Sequence, residues 1–181
     1  MLPLVSAGTS FVPLTAPRLA RRMAAWLYEG VLLFGVIFVA GLIFIALTRG
    51  RGALPAYRQP MQVFLFAVIG LYFVWCWSKG QGQTLAMKTW RIRLVDTQGR
   101  PVDWTRALWR YVLCWLWFLP PLAAALPFKR SAAEVAVLCI GWILVWALAS
   151  RLQPQRQFWH DIWSGTRLID ARSTAAPPPS P

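Results

Sequence analysis

WLYEGVLLFGVIFVAGLIFIAL, residues 26 to 47, decides what kind of chain this is. Its 22 residues carry one charged side chain, Glu29. The hydrocarbon core of a bilayer is about 30 Å thick and takes about 20 apolar residues of α-helix to cross. Three further stretches, 63–77, 112–128 and 135–149, hold no Asp, Glu, Lys or Arg, and with their flanks each approaches that length. The expected fold is an all-α membrane protein, a bundle of four transmembrane helices at about 24–47, 61–78, 104–128 and 133–152. Composition agrees: 57% of the residues are hydrophobic and 14% charged, against about a quarter charged in a soluble domain.

The distribution of charge sets the orientation. The net charge is +13, and 14 of the 19 Lys and Arg lie before the first span, from Lys79 to Arg110, or from Arg151 onward. Arg49, Arg51, Arg58, Lys129 and Arg130 make up the rest. Basic residues concentrate on the cytoplasmic side, so both termini and the middle loop are expected there, in a multi-pass protein of the bacterial inner (plasma) membrane. The basic excess then serves topology and attraction to anionic lipids of the cytoplasmic face. No basic stripe lies on a soluble domain, which argues against nucleic acid. Arg18, Arg21 and Arg22 stand directly before the first span, so no cleaved signal is expected. Residues 1–17 read as a flexible segment, 18–172 as the membrane domain, and 173–181 (STAAPPPSP) as a disordered Pro-rich tail.

The middle loop, KGQGQTLAMKTWRIRLVDTQGRPVDW from Lys79 to Trp104, carries its own pattern. Trp90, Ile92 and Leu94 alternate with Arg91 and Arg93, the period of a half-buried strand. Asp96 to Gly99 is a turn signal, with a return strand expected over Arg100 to Asp103, giving a small cytoplasmic β-hairpin between helices 2 and 3. Thr84 to Lys88 could make one helical turn ahead of it. Gly165 to Ile169 reads as a short C-terminal strand that could join the hairpin. Pro120-Pro121 should bend the third span or end it early.

Glu29 is the sharpest chemical feature. An ionised carboxylate in hydrocarbon is costly, so it should be protonated, paired or open to a wet cavity. Arg22 shares its helical face but stands two turns away, about 10.5 Å along the axis. Arg106 and Arg110, four apart at the start of the third span, are the expected partners. Two roles follow: an ion pair that locks two helices, or a carboxylate that binds protons or cations. His160-Asp161 holds the only histidine. Neighbours on a helix point about 100° apart, so a tight dyad is not expected, and no nucleophile elbow accompanies it. One His without a carboxylate cluster is a poor metal set, and no cofactor is implied. The expected role is a tie between the C-terminal segment and the spans, with Asp161 accepting from backbone N–H groups or an arginine. Cys76, Cys114 and Cys139 fall in apolar runs and read as small hydrophobes. The 12 tryptophans cluster near span ends, which fits an interfacial belt, with an aromatic ligand cage as the alternative.

These segments together resemble the RDD family of small polytopic membrane proteins. The family's first helix carries Arg-x-x-Ala-x-x-x-Asp, matched by Arg22, Ala25 and position 29. Its middle loop resembles GQTLAMK (Gly82 to Lys88, including Gln83 and Thr84), then WRIRLVDTQG, then Arg110. Its closing His-Asp and Gly-Thr look like His160-Asp161 and Gly165-Thr166. The likeness runs from about Arg18 to Asp170, with two departures: Glu29 stands for Asp, and Ala86 for Gly. The resemblance implies fold and membrane residence, and brings a cation/proton antiport activity proposed for some members. Two functions are therefore carried forward. One is a transport-related protein whose Glu29, balanced by Arg22, Arg106 or Arg110, handles protons or a monovalent cation. The other is a non-catalytic accessory or assembly factor for a partner membrane protein. An enzyme is not expected, since nucleophile, metal set and phosphate loop are missing. Four spans enclose little room, so a homo-oligomer is expected in either case.

Overall fold

A computed structural model describes residues 15–125, 127–128, 131–152 and 157–172. The expectations for residues 1–14 and for the tail 173–181 lie outside the described residues. Helix α1 (Leu19–Leu47) runs for 29 residues. In its first half the buried side chains, Arg22, Ala25 and Glu29, recur at three and four positions, while Leu27, Val31, Phe34 and Phe38 face outward. This inverts the pattern of a soluble helix, as expected where the surroundings are hydrocarbon. Gly50, in the left-handed region at φ 80°, ends the helix by donating its N–H to the Ile45 carbonyl at 2.9 Å.

Helix α2 (Arg58–Ser78) returns. Short helix α3 (Leu85–Thr89) is capped by the Thr84 hydroxyl, which accepts from the Met87 N–H at 3.2 Å. Strand β1 (Ile92–Asp96) follows. Then come helices α4 (Trp104–Cys114), α5 (Leu119–Ala125), α6 (Ala132–Ala149) and α7 (Trp159–Trp163), and strand β2 (Thr166–Asp170). Among the described residues four helical segments, Leu19–Leu47, Pro55–Ser78, Trp104–Ala125 and Ala132–Ala149, are long and apolar enough to cross a membrane. The last opens on a capping box, with the Ser131 hydroxyl and the Glu134 carboxylate each answering the other's backbone N–H.

The hairpin does not form. β1 pairs antiparallel with β2, Ile92 opposite Asp170 and Asp96 opposite Thr166. The turn after β1 is built on Asp96, whose Oδ1 accepts from the N–H groups of Gln98 and Arg100 at 2.8 Å each. No return strand follows, because Pro101 has no N–H to give a ladder and Asp103 is already the cap of α4. β2 offers a five-residue partner instead, and Trp90, expected in the strand, sits at the end of α3. Gly82 is placed by the same strand: its carbonyl accepts from the Leu94 N–H at 2.8 Å, and a Cβ there would lie 2.2 Å from the Leu94 oxygen.

The third span breaks earlier than its prolines. A 3-10 turn at Trp115–Trp117 separates α4 from α5, and Pro120-Pro121 sit in the first turn of α5, where missing N–H groups cost nothing. Residues before a proline disfavour the helical region, so the break falls ahead of the pair. The span ends at Ala125 rather than near Phe128.

α3, α7, the sheet and the start of α1 gather at one end of the bundle. Arg21 of α1 bonds Asp170 of β2, and the Asp170 N–H donates to the Thr15 carbonyl at 3.0 Å. The last residues of the expected flexible segment are thus joined to the sheet. The buried core lies at this end, around Ala25, Trp77, Ile92, Leu94, Ala107, Trp117 and Phe158. α2 meets α4 where Gly70 leaves room for the Tyr111 ring, whose hydroxyl donates to the Phe66 carbonyl at 2.8 Å.

Candidate functional site

Three carboxylates are buried at the sheet end among the described residues; Asp96 holds the turn after β1, and the surroundings of the other two, Asp161 and Glu29, differ. Asp161 is carried by α7, which Gly165 turns into β2 at φ 64°. Arg110 of α4 reaches Asp161 with two nitrogens, Nε at 3.0 Å and Nη2 at 2.6 Å, both on Oδ1. The Trp77 ring covers the guanidinium at 4.3 Å. His160 Nε2 lies 3.4 Å from the same oxygen, a contact rather than a tight dyad. The Trp117 indole N–H donates to His160 Nδ1 at 3.0 Å, so Nδ1 is unprotonated and the imidazole is neutral. Burial pushes the His160 pKa down to about 4, in agreement. Burial alone would raise the Asp161 carboxyl; Arg110, with His160 and Arg22 behind it, outweighs that and holds it below the usual range.

Arg22 belongs to this cluster. It is buried, lies 4.0 Å over the Phe158 ring, and donates from Nη2 to the Ser150 hydroxyl at 3.3 Å. Its Nε and Nη1, and Oδ2 of Asp161, are buried without a hydrogen-bond partner among the described residues.

Glu29 has no such company. Among the described residues no Arg, Lys or His lies within ion-pair distance of it. Tyr72 of α2 donates its hydroxyl to Oε1 at 2.6 Å, and the Thr84 hydroxyl donates to Oε2. The expected partners go elsewhere. Arg110 is held by Asp161, and Arg106 is half-exposed, 3.9 Å from Asp96. The reason is rotational: α4 turns Arg110 toward α7 and Arg106, one turn earlier, toward the turn after β1. Gln83 supports the loop, donating to the Ile92 carbonyl at 2.7 Å.

Glu29 also lines a cavity of about 420 Å³. The α1 stripe of Arg22, Trp26, Glu29 and Leu33 forms one wall, and Phe73, Trp115 and Phe118 contribute others. Thr84, Arg110 and His160 also line it, so five of the eight residues expected to form a polar network border one space, while Gln83, Arg106 and Asp161 do not line it. Sequence reasoning missed Tyr72, Trp117, Ser150 and Phe158. Tyr72 had a signal, as the one hydroxyl-bearing residue between Tyr57 and Ser78. The others are named only by their contacts across elements.

Comparison with curated proteins and with solved structures finds no match for the chain. The family model described as RDD family matches residues 16–165, a stretch that contains Arg22, Glu29, the Gly82 to Lys88 loop, Arg110 and His160-Asp161. With that match over most of its length, and with four membrane-length helices closed at one end by this buried polar cluster, the chain belongs to the RDD family.

Proposed function

We propose that this multi-pass membrane protein couples protons to a monovalent cation through the Glu29 carboxylate, with the sheet end in the cytoplasm against anionic lipid. The supporting observation is a buried carboxylate on a cavity wall whose partners among the described residues are two hydroxyls and no cation. In a low-dielectric setting an ionised carboxylate needs a counter-charge, and without one it takes a proton or a cation from the cavity. The two states exclude each other, which is the requirement for exchange. Tyr72 and Thr84 donate to the ionised form, and each hydroxyl can turn to accept from the protonated one. Arg22, Arg110, His160 and Asp161 hold the helices around the site. The test is proton movement across proteoliposomes on addition of a monovalent cation. Glu29→Gln, which keeps the shape and removes the charge, should abolish it; unchanged flux sinks the mechanism.

A second reading, an accessory factor or homo-oligomer, draws on α6. Within that helix Ala147 alone is buried among the described residues, and Val137, Ile140, Leu144, Val145 and Leu148 face outward. A partner span or a second copy could cover that surface. Mass measurement in lipid nanodiscs tests it: one copy with no companion counts against this reading.

A further inference from the structure

The cavity beside Glu29 is built for more than a proton. A volume of about 420 Å³ falls in the range that holds an organic ligand. Its walls are chiefly carbon: Trp26, Phe73, Trp115 and Phe118 supply rings, and Trp26 stacks on Trp117 with centroids 5.6 Å apart. An inorganic cation would need a shell of oxygens to replace its water. The oxygens offered here are the carboxylate and two hydroxyls that already donate to it.

The charges around the space sort themselves by what still faces them. Arg110 is answered by Asp161, and the Trp77 ring lies over it. Arg22 stands under the Phe158 ring, two turns from Glu29, and its two unpartnered nitrogens are buried from any probe as well as from any partner. His160 is neutral, with Nδ1 committed to Trp117. Among the described residues neither Arg22 nor Glu29 is in an ion pair, but Arg22 lies against the Phe158 ring and feels Asp161 at longer range, whereas Glu29 faces hydroxyls alone, and aromatic rings favour cations at their faces.

From this we infer that the cavity is a binding site for a lipophilic organic cation, its charge at Glu29 and its apolar body among the aromatic side chains. The inference rests on the proposed role of Glu29 and names the class of cation that role would take.

Tetraphenylphosphonium is a suitable probe, and tetraphenylborate is its near-isostere of opposite charge. Binding is read by quenching of tryptophan fluorescence and by equilibrium dialysis, with the protein in lipid nanodiscs. The phosphonium should bind the wild type about tenfold or more tighter than it binds Glu29→Gln. Glu29→Asp, which keeps the carboxylate, should retain most of the affinity. Leu33→Trp, which fills the cavity and leaves Glu29 in place, should block the probe. Equal affinity for wild type and Glu29→Gln, when both melt alike, overturns the inference. So does tighter binding of the borate, which would make the space an anion or acyl-chain site. The two proposals fail separately. Sodium-driven proton flux without phosphonium binding removes this one and leaves exchange at Glu29. Glu29-dependent phosphonium binding without any flux keeps the binding site and removes the exchange.

Discussion

Asp161 and Glu29 are both carboxylates buried at the same end of one bundle, with relative exposures of 0% and 7%. Asp161 faces Arg110 directly, touches His160, and feels Arg22 at longer range. Glu29 faces two hydroxyls and a cavity. The first arrangement fixes a charge permanently and binds α7 to α4. The second leaves a carboxylate that meets no cation among the described residues. Burial by itself therefore says little about what a carboxylate in a membrane protein does; the identity of its partners separates the lock at Asp161 from the exchange site proposed at Glu29.

The largest effect expected from that contrast is on stability. Asp161→Asn leaves the Arg110 guanidinium buried with its ion partner gone, and breaking a buried pair costs about 3–5 kcal/mol. Thermal melting in detergent should show a large drop in Tm. Adding Arg110→Gln to the same chain should recover part of it, because the uncompensated charge goes with the arginine. Glu29→Gln should cost about 1 kcal/mol or less, since neutral hydrogen bonds replace ionic ones. Should Glu29→Gln prove as damaging as Asp161→Asn, the two carboxylates do the same work and the contrast collapses.

Acid sharpens the comparison further. The imidazole has an ordinary pKa of about 6.5, and burial in the folded protein brings His160 to about 4. The unfolded chain takes the proton first. The stability due to neutral His160 is therefore complete above about pH 6.5 and declines as pH falls toward 4, by up to about 1.4 kcal/mol per unit. Asp161 acts lower: its folded pKa is depressed, so its contribution holds above the usual carboxylate value of about 3.9 and is lost below it. Melting curves at pH 7, 6 and 5 should slope downward for wild type and flatten for His160→Asn. A wild type with no slope would mean that His160 is not held neutral.

The smallest effect belongs to Arg106. Its Asp96 contact is 3.9 Å with the arginine about half exposed, and exposed pairs contribute about 0–1 kcal/mol. Arg106→Gln should leave Tm and proton flux close to wild type. A loss of flux would show that a cation outside the cavity governs Glu29.

Much of this was legible from local pattern. Runs such as 26–47 can only be spans, because a backbone in hydrocarbon must satisfy its own hydrogen bonds and helix does so within one segment. The Glu29 anomaly and the basic, polar middle loop were visible for the same reason: each departs from what its immediate surroundings demand. The β-hairpin was the natural local expectation, and it lost to a partner about 70 residues away because Pro101 and the Asp103 cap left too few donors nearby. The pairing of Glu29 with an arginine failed for another reason. Arg106 and Arg110 share a helix face, and a rotation within one turn decides what each one meets.

The sequence by itself determined four membrane-length helices, the charged residues at their ends, and one carboxylate where no charge belongs. These follow from length, hydropathy and period, which a chain carries wherever its elements come to rest. Only the tertiary structure decided that Arg110 goes to Asp161, that Trp117 keeps His160 neutral, and that Tyr72 and Thr84 are the company of Glu29. Those choices depend on how helices are rotated and how far apart they pack, and a displacement of a single helical turn, about 5.4 Å, is enough to exchange an ion pair for an open cavity.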